Sequence, residues 1–177
     1  RGTKPIHLAA QWEFSECIEK LCGLGIDPNQ QNEYRYTPAH YAAQSGCGGC
    51  LKVLKEAGAD LNVPCNEGMR PVHLAARSKK GDCLRVLLEE GADLNVPDNE
   101  GMRPVHHVID ETRPCNMVRT LECLEVLKEA GANLNEPDNE GMTPAHYSAI
   151  WGCVDCLEVL KEACPNLNGQ DESGKTL

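Results

Sequence analysis

Aromatic side chains and long apolar runs are both scarce in this chain of 177 residues. One Phe, two Trp and four Tyr are fewer than a core of this size usually contains, so we expect a core of small aliphatic side chains. No apolar run approaches the roughly 20 residues that a membrane-spanning helix requires. The sequence therefore predicts a soluble protein without a membrane segment. Because it begins without methionine, we expect it to be a piece of a longer protein.

Positive charge is also in deficit, since 17 Lys and Arg stand against 27 Asp and Glu, for a net charge of −10. A chain with this excess of negative charge repels both nucleic acid and anionic lipid. The sequence predicts neither of them as a partner.

The motifs of common catalytic centres give no support to an enzyme. There is no H-E-x-x-H pair for zinc and no serine in a G-x-S-x-G turn. We therefore predict a protein that is not an enzyme and that carries no cofactor.

Cysteine, in contrast, is abundant, with eleven residues, an odd number. A small secreted scaffold pairs its cysteines in an even framework of bridges, whereas this chain has ample Leu, Val and Ala for an apolar core. We therefore expect free thiols in an intracellular protein of the cytoplasm or the nucleus.

Five similar heptapeptides organise the chain. They are KPIHLAA from Lys4, TPAHYAA from Thr37, RPVHLAA from Arg70, RPVHHVI from Arg103 and TPAHYSA from Thr143, at intervals of 33, 33, 33 and 40 residues. A second block follows each of them, for example CLKVLKEAGADLN or CLEVLKEAGANLN. In every unit this pattern predicts a short helix that begins at proline, a turn, a longer helix and an extended hairpin.

The period, the T-P-x-H-x-A block and the G-A-D-x-N block resemble ankyrin repeats over essentially the whole chain. The resemblance implies an all-α repeat solenoid, a stack of helix-turn-helix units with β-hairpin fingers. We expect a single domain, 1–177, with repeats at approximately 1–33, 34–66, 67–99, 100–139 and 140–172 and a partial sixth at 173–177. One unit cannot bury its apolar face alone, so the stability is expected to come largely from neighbouring units.

One histidine and one cysteine recur at fixed positions of the unit. The histidines are His7, His40, His73, His106 and His146, and the resemblance implies that each bonds its own threonine and neighbouring backbone. The cysteines are Cys17, Cys50, Cys83, Cys123 and Cys156, which we expect to be small buried hydrophobic residues. Both sets are predicted to be structural.

Two of these cysteines also belong to C-x-x-C pairs, in which Cys47 and Cys153 are the other members. The two pairs are 106 residues apart, which does not fit the spacing of a zinc site made from two such pairs. A helix N-terminus could lower the pKa of these thiols and favour oxidation. We predict a structural role and no metal site, with a redox- or zinc-responsive protein as the alternative.

The resemblance implies a non-catalytic protein–protein interaction module that binds a peptide or protein through a concave groove and the hairpin tips. Exposed aromatic residues gathered on one face mark such surfaces, although aromatic residues at these positions can also pack between adjacent units. The predicted partner-binding residues are Leu8, Trp12, Tyr34, Tyr36, Tyr41, Leu74, His107, Tyr147, Ile150, Trp151, Met69, Met102 and Met142. A targeting arm of a larger ubiquitin-ligase receptor, channel or enzyme remains an alternative.

Acidic residues recur in the hairpins. Glu67, Glu100 and Glu140 each precede the turn glycine, and a methionine follows it. Flexible methionine beside a fixed carboxylate suits contact with a basic, partly apolar segment of a protein or peptide partner. We expect such a partner and a monomeric chain, with a solvated acidic ridge that has no partner as the alternative.

Two asparagines are candidates for modification. The resemblance extends to substrates of an asparaginyl hydroxylase that favours Leu eight residues before a hairpin Asn, which designates Asn62 and Asn95. The alternative role of each is to brace the hairpin through side-chain hydrogen bonds.

The fourth unit contains seven more residues than the others, near 110–120. Pro114 disfavours helix before it, so the first helix of this unit should end near Thr112 or Arg113. We expect the additional residues to form a protruding loop at the base of the groove, with Arg113 and Arg119 as its cations.

Overall fold

The computed structural model of the chain describes residues 2–109, 117–164 and 167. Within these residues ten α-helices form five pairs. The first helices of the pairs are α1 (Pro5–Gln11), α3 (Pro38–Ser45), α5 (Pro71–Arg77), α7 (Pro104–Ile109) and α9 (Pro144–Ile150). The second helices are α2 (Ser15–Gly23), α4 (Gly48–Glu56), α6 (Gly81–Glu89), α8 (Met117–Glu129) and α10 (Val154–Ala163). None of these helices is both long enough and apolar enough to cross a membrane.

The helices stack in two layers. The first helices contact one another in the order α1, α3, α5, α7, α9, and the second helices in the order α2, α4, α6, α8, α10. Each unit therefore packs against its sequence neighbours, and the predicted all-α repeat solenoid is confirmed.

The core is aliphatic, as expected from the shortage of aromatic residues. Its largest fully buried side chains are Ile6, Ile18, Leu51, Leu54, Leu61, Leu74, Leu84, Leu87, Ile109, Leu124, Leu127 and Leu160. The recurrent cysteines are fully buried among them at positions 50, 83, 123 and 156. Cys17 is exposed, so its predicted burial is wrong. In the described part of the chain, α4 is the only member of the second-helix layer that packs against α2, the helix of Cys17.

The recurrent histidines hold the start of every first helix. The Nδ1 atom of each accepts the backbone N–H of the residue three positions earlier, at 2.9 to 3.1 Å. His40 and His146 also bond the hydroxyl of their own threonine at 2.8 Å. On the other side of the ring, Nε2 of His40 lies 3.1 Å from the carbonyl of Met69 in the following repeat. The predicted structural role of these histidines is confirmed.

The hairpin tips are the residues 32–36, 65–69, 98–102 and 138–142, which we call the fingers. A backbone hydrogen bond of 2.9 to 3.1 Å joins the first N–H of each finger to its last carbonyl. No strand is assigned among the residues that the structure describes, so the fingers are tight turns with short extended flanks.

Only part of the insertion in the fourth repeat is described. α7 is described through Ile109, and the helix end predicted near Thr112 or Arg113 lies outside the described residues. α8 begins at Met117, six residues before Cys123, whereas α4 and α6 begin two residues before the equivalent cysteine. Four of the additional residues thus extend α8 by about one turn. They do not belong to a loop, as the sequence had led us to expect.

Both C-x-x-C pairs are disulfides, Cys47–Cys50 at the start of α4 and Cys153–Cys156 at the start of α10. The prediction of free thiols is wrong for these four residues. Residues three apart lie on one face of a helical turn, and the Cα–Cα distances of 5.2 and 5.3 Å fall in the range that a disulfide spans. No cluster of His, Cys, Asp or Glu within the described ranges could hold a metal ion.

Candidate protein-interaction surface

Each finger begins with a side chain that fixes its turn, except for the finger that begins with Cys65. Oδ1 of Asp98 accepts the backbone N–H of Glu100 at 2.9 Å and that of Met102 at 3.0 Å. Asn32 and Asp138 accept the same pair of bonds in their own fingers. Side-chain acceptors of this kind compete successfully for the backbone donors of short turns. The finger conformation is therefore set locally.

The same side chains bind the residue nine positions later, on the following first helix. Asn32 donates to the Tyr41 hydroxyl at 3.0 Å, and the Tyr147 hydroxyl donates to Asp138 Oδ2 at 2.7 Å. In the third repeat the equivalent positions hold Cys65 and Leu74, both buried. The two hydrogen bonds attach the fingers that begin with Asn32 and Asp138 to the first helix that follows each of them.

The fourth repeat makes this contact with a buried His–Asp pair. Nε2 of His107 lies 2.8 Å from Oδ2 of Asp98, and the two side chains are 6% and 4% exposed. Burial alone would raise the pKa of Asp98. The hydrogen bond and charge of His107, together with the N–H groups of Glu100 and Met102, outweigh burial and hold the pKa of Asp98 below its ordinary value. The pair is thus built to keep the carboxylate ionised inside the protein.

Adjacent fingers are bonded into a ladder. The backbone N–H of Asn99 donates to the carbonyl of Glu67 at 3.1 Å, and the Asn99 amide donates to the carbonyl of Asn66 at 2.9 Å. Asn139 repeats both bonds, to Glu100 at 3.0 Å and to Asn99 at 3.0 Å. Two hydrogen bonds between adjacent fingers keep the fingers in register.

Four of the predicted partner-binding residues are buried in this structure. They are Leu74, His107, Met69 and Met102, with exposed fractions of 1 to 7%. Leu74 and Met69 belong to the hydrophobic core, Met102 is 7% exposed, and His107 bonds Asp98. The sequence prediction placed Leu74 and His107 in the groove and Met69 and Met102 at the hairpin tips, and it took both kinds of position as exposed.

Three tyrosines occupy an intermediate position. Tyr36, Tyr41 and Tyr147 are partly buried and pack against the core. Their rings lie edge-on to the recurrent histidines, for example Tyr36 to His40 with ring centres 5.1 Å apart. Burial, with smaller effects of the neighbouring charges of Cys65 and Glu67, raises the pKa of Tyr36 to about 12. These tyrosines pack between repeats, as the alternative interpretation proposed.

The exposed members of the predicted set lie toward the two ends of the described stack. Trp12 ends α1 and is 65% exposed, and Trp151 ends α9 and is 43% exposed. The others with exposed apolar surface are Leu8, Tyr34 and Ile150, and Met142 is partly buried. The structure therefore does not gather the predicted aromatic residues into one cluster.

A polar cleft lies between these ends, at the first and second of the three fingers that carry glutamate next to glycine. Its volume is about 410 Å³, and it is lined by Asn66, Glu67, Met69, Arg77, Asp98, Asn99, Glu100 and His107. Arg77, at the end of α5, places a guanidinium nitrogen 3.7 Å from the sulfur of Met69. The sequence prediction omitted Arg77, although its place four residues after the recurrent histidine could have identified it. The lining of the cleft thus contains the cation of Arg77 and the exposed carboxylates of Glu67 and Glu100, without an ion pair between them among the described residues.

The asparagines predicted as modification sites are engaged with the next repeat. Oδ1 of Asn62 accepts the N–H of Asp93 at 3.1 Å, and its amide donates to the carbonyl of Gly91 at 3.4 Å. Oδ1 of Asn95 accepts the N–H of Asn133 at 2.7 Å. Both asparagines therefore brace the connection between repeats.

Comparison with protein families agrees with this architecture. A model of three-copy ankyrin repeats matches residues 6–98 and 40–122, and a model of many-copy ankyrin repeats matches residues 119–160. No curated protein matches the chain. Ankyrin repeats are generally protein–protein interaction modules and are typically non-catalytic. Since the matched segments run almost without a break from the first repeat to the fifth, the chain belongs to the ankyrin-repeat family.

Proposed function

We propose that this chain is a non-catalytic interaction module whose fingers and groove bind an extended protein segment that carries both basic and apolar side chains. The observation that supports it most is the row of glutamates on a rigid ladder. Glu67, Glu100 and Glu140 occupy the same position of consecutive fingers and are exposed. No ion pair within the described residues involves any of them.

The charge of the chain suits such a partner. With a net charge of −10, the protein attracts a basic segment at long range and accelerates its association. Carboxylates that already lie in register need little further ordering when a partner binds, so little affinity is lost to their conformational entropy.

The apolar part of the partner would meet the exposed aromatic residues. Trp12, Tyr34 and Trp151 have large exposed rings, and Trp and Tyr are the residue types most enriched among strong contacts at interfaces. Their positions toward the ends of the stack favour a long segment that runs across several repeats over a compact ligand in one pocket.

One motif in the sequence could suggest nucleotide chemistry, but it is also compatible with a non-catalytic role. Residues 169–176, GQDESGKT, match the letters of a phosphate loop, which requires a preceding strand and a following helix. These residues lie outside the described part of the chain. Asp171, Gly174 and Thr176 repeat the spacing of Asp138, Gly141 and Thr143, so we interpret the match as the sequence pattern that begins a sixth repeat.

Selection from a displayed random-peptide library, with the folded chain immobilised, tests this proposal. We expect enrichment of peptides that combine Lys or Arg with apolar residues. The triple variant Glu67→Gln, Glu100→Gln, Glu140→Gln should bind the selected peptides at least about tenfold more weakly, because three charge attractions to the basic side chains of the peptide are lost. The matched control is Glu19→Gln, Glu56→Gln, Glu158→Gln, which makes the same charge change on exposed positions of second helices. Equal weakening in both triple variants, or no enriched peptide, would contradict the proposal.

The disulfides support a second candidate, a redox-responsive role. Cys47 is partly exposed whereas Cys153 is 4% exposed, so the two bonds differ in access. A dithiol reductant would convert the Cys47–Cys50 disulfide to two thiols and itself become a disulfide. Under native conditions we expect alkylation to report two new thiols at 47 and 50 and none at 153 and 156. Simultaneous reduction of both pairs, or of neither, would remove this candidate.

A further inference from the structure

Lys79 combines two unfavourable features in the turn between α5 and α6. Its backbone is left-handed, with φ of +54°, at a position where the second and fifth repeats have Gly46 and Gly152. The residue is only 9% exposed, and its Nζ has no hydrogen-bond partner in the described part of the chain. A strained backbone and a buried ammonium without a partner both cost stability. Glu13 has the same left-handed backbone in the first repeat, but it is exposed and carries no cost of burial.

Lys79 lines a cavity that holds further cations. The cavity has a volume of about 330 Å³ and is lined by Gly46, Lys79, Lys80, Gly81, Asp82, Cys83, Arg119 and Glu122. The side chain of Lys80 crosses Gly46 so closely that a Cβ at position 46 would lie 2.9 Å from its Cδ. Lys80 is also the N-cap of α6, so the first backbone N–H groups of that helix lie beside the cavity.

The carboxylates around the cavity do not neutralise these lysines. Asp82 and Glu122 are both exposed, and the Glu122 carboxylate packs against Gly81, where a Cβ would lie 2.7 Å from Oε1. No ion pair joins Lys79 or Lys80 to either acid within the described residues. Among the residues that the structure describes, the lining has three cations and two carboxylates, in a protein whose net charge is −10.

Cys83, in the lining of the cavity, and Cys123, whose pKa responds to the charge of Lys79, supply no negative charge. Burial raises the pKa of Cys83 to about 12, although the charge of Lys80 opposes this. Burial likewise raises the pKa of Cys123 to about 12. Both thiols are protonated at neutral pH, so the positive charge of Lys79 has no thiolate counter-ion near it.

We propose that this cavity binds a single oxyanionic group of the phosphate class. Lys80 and the N–H groups at the start of α6 would contact its oxygens. Lys79 would contribute the positive charge of its buried ammonium, whose attraction for the anion is only weakly screened by solvent. Arg119 lies at the mouth of the cavity, on the additional turn of α8. The phosphate group could be free or carried on a side chain of a partner protein. The site is separate from the glutamate row and does not rest on the function proposed for it.

Titration with inorganic phosphate at constant ionic strength, with chloride as the balancing anion, tests the site. We expect saturable shifts of the backbone amide signals of residues 80–83 and a higher melting temperature. In Lys79→Gly the phosphate affinity should fall about tenfold, as expected when a charged partner is removed. The phosphate-free Lys79→Gly variant should melt no lower than the parent, because glycine accepts a left-handed backbone without strain. Loss of binding therefore could not be attributed to unfolding.

Glu13→Gly is the matched control, since it relieves the same backbone strain in the first repeat without removing a cation. It should leave the affinity for phosphate unchanged. A phosphoserine peptide and its serine counterpart distinguish the free phosphate ion from a phosphate group on a partner protein. Tighter binding of the phosphopeptide than of inorganic phosphate identifies a phosphorylated partner, and equal binding identifies the free anion. Absence of a saturable response to phosphate, or an unchanged affinity in Lys79→Gly, would overturn the proposal.

Discussion

His107 and Asp98 form a buried pair, with Nε2 of the imidazole 2.8 Å from Oδ2 of the carboxylate, at positions where the preceding repeat has Leu74 and Cys65. The same two positions of the repeat thus hold a hydrogen-bonded polar pair in one place and two buried apolar side chains in another. Replacing the polar pair by the apolar pair tests how much it contributes to the free energy of unfolding.

Replacement of His107 by Leu should destabilise the protein by about 3 kcal/mol, because it leaves the Asp98 carboxylate buried without its partner. The double variant His107→Leu, Asp98→Cys copies the preceding repeat. It should be more stable than His107→Leu by at least about 1 kcal/mol, since it removes the unpaired charge. Urea unfolding of the four proteins of this cycle gives the coupling. If the two substitutions were additive, the pair would have no special energetic role.

Stability should fall as the pH falls from about 6.5 to about 4. Burial lowers the pKa of His40, His73 and His106 to about 4, whereas the ordinary value is 6.5. Between these values the unfolded chain binds more protons than the folded one, so the free energy of unfolding decreases with decreasing pH. The contribution of Asp98 is lost at lower pH, because its carboxylate stabilises the folded state until the pH falls through a pKa below 3.8. Urea unfolding at several pH values across this range tests the prediction. In His73→Gln the number of protons taken up on unfolding, which the slope of the unfolding free energy against pH reports, should fall by up to about one. A flat profile would contradict neutral burial of the histidines.

The finger ladder depends on glycine at its turns. Gly101 has a φ of +80°, and a Cβ there would lie 2.6 Å from the backbone nitrogen of Asn139. Gly101→Ala should therefore cost more than about 1 kcal/mol in unfolding free energy. Gly49→Ala is the control, because Gly49 lies in α4 with nothing near its Cβ position, and alanine there should stabilise by about 0.5–1 kcal/mol. Equal effects in thermal unfolding would show that the close approach of the fingers is unimportant.

Asparaginyl hydroxylation is expected at Asn62 or Asn95. Each asparagine braces the next repeat, so the enzyme needs local opening to reach it. Intact-mass analysis after incubation with the enzyme should show the addition of one oxygen atom, and more rapidly in Gly101→Ala than in the parent. The variant Asn62→Gln, Asn95→Gln should gain no mass. No gain in the parent chain would rule out both sites as substrates.

The sequence predicted the features that depend on contacts within a single repeat. The proline starts of the first helices and the role of His40 at its own helix start depend on contacts within one unit, which the period of 33 residues displays. Burial of Leu74 and Met69 depends on the register of neighbouring repeats, which no single unit reveals. Pairing of His107 with Asp98 depends on a contact nine residues away, between a turn and a helix, and the pattern of either segment alone does not show it. The disulfides were missed because composition was taken to indicate free thiols.

Chemical-shift mapping of a selected basic and apolar peptide on the folded chain locates the binding surface. We expect the amide signals of the fingers at Glu67, Glu100 and Glu140 to shift, together with the indole signals of Trp12 and Trp151. Signals of the second helices α2, α4, α6, α8 and α10 should remain in place. Shifts confined to those second helices, with the fingers unaffected, would contradict the assignment of the fingers and groove as the binding surface.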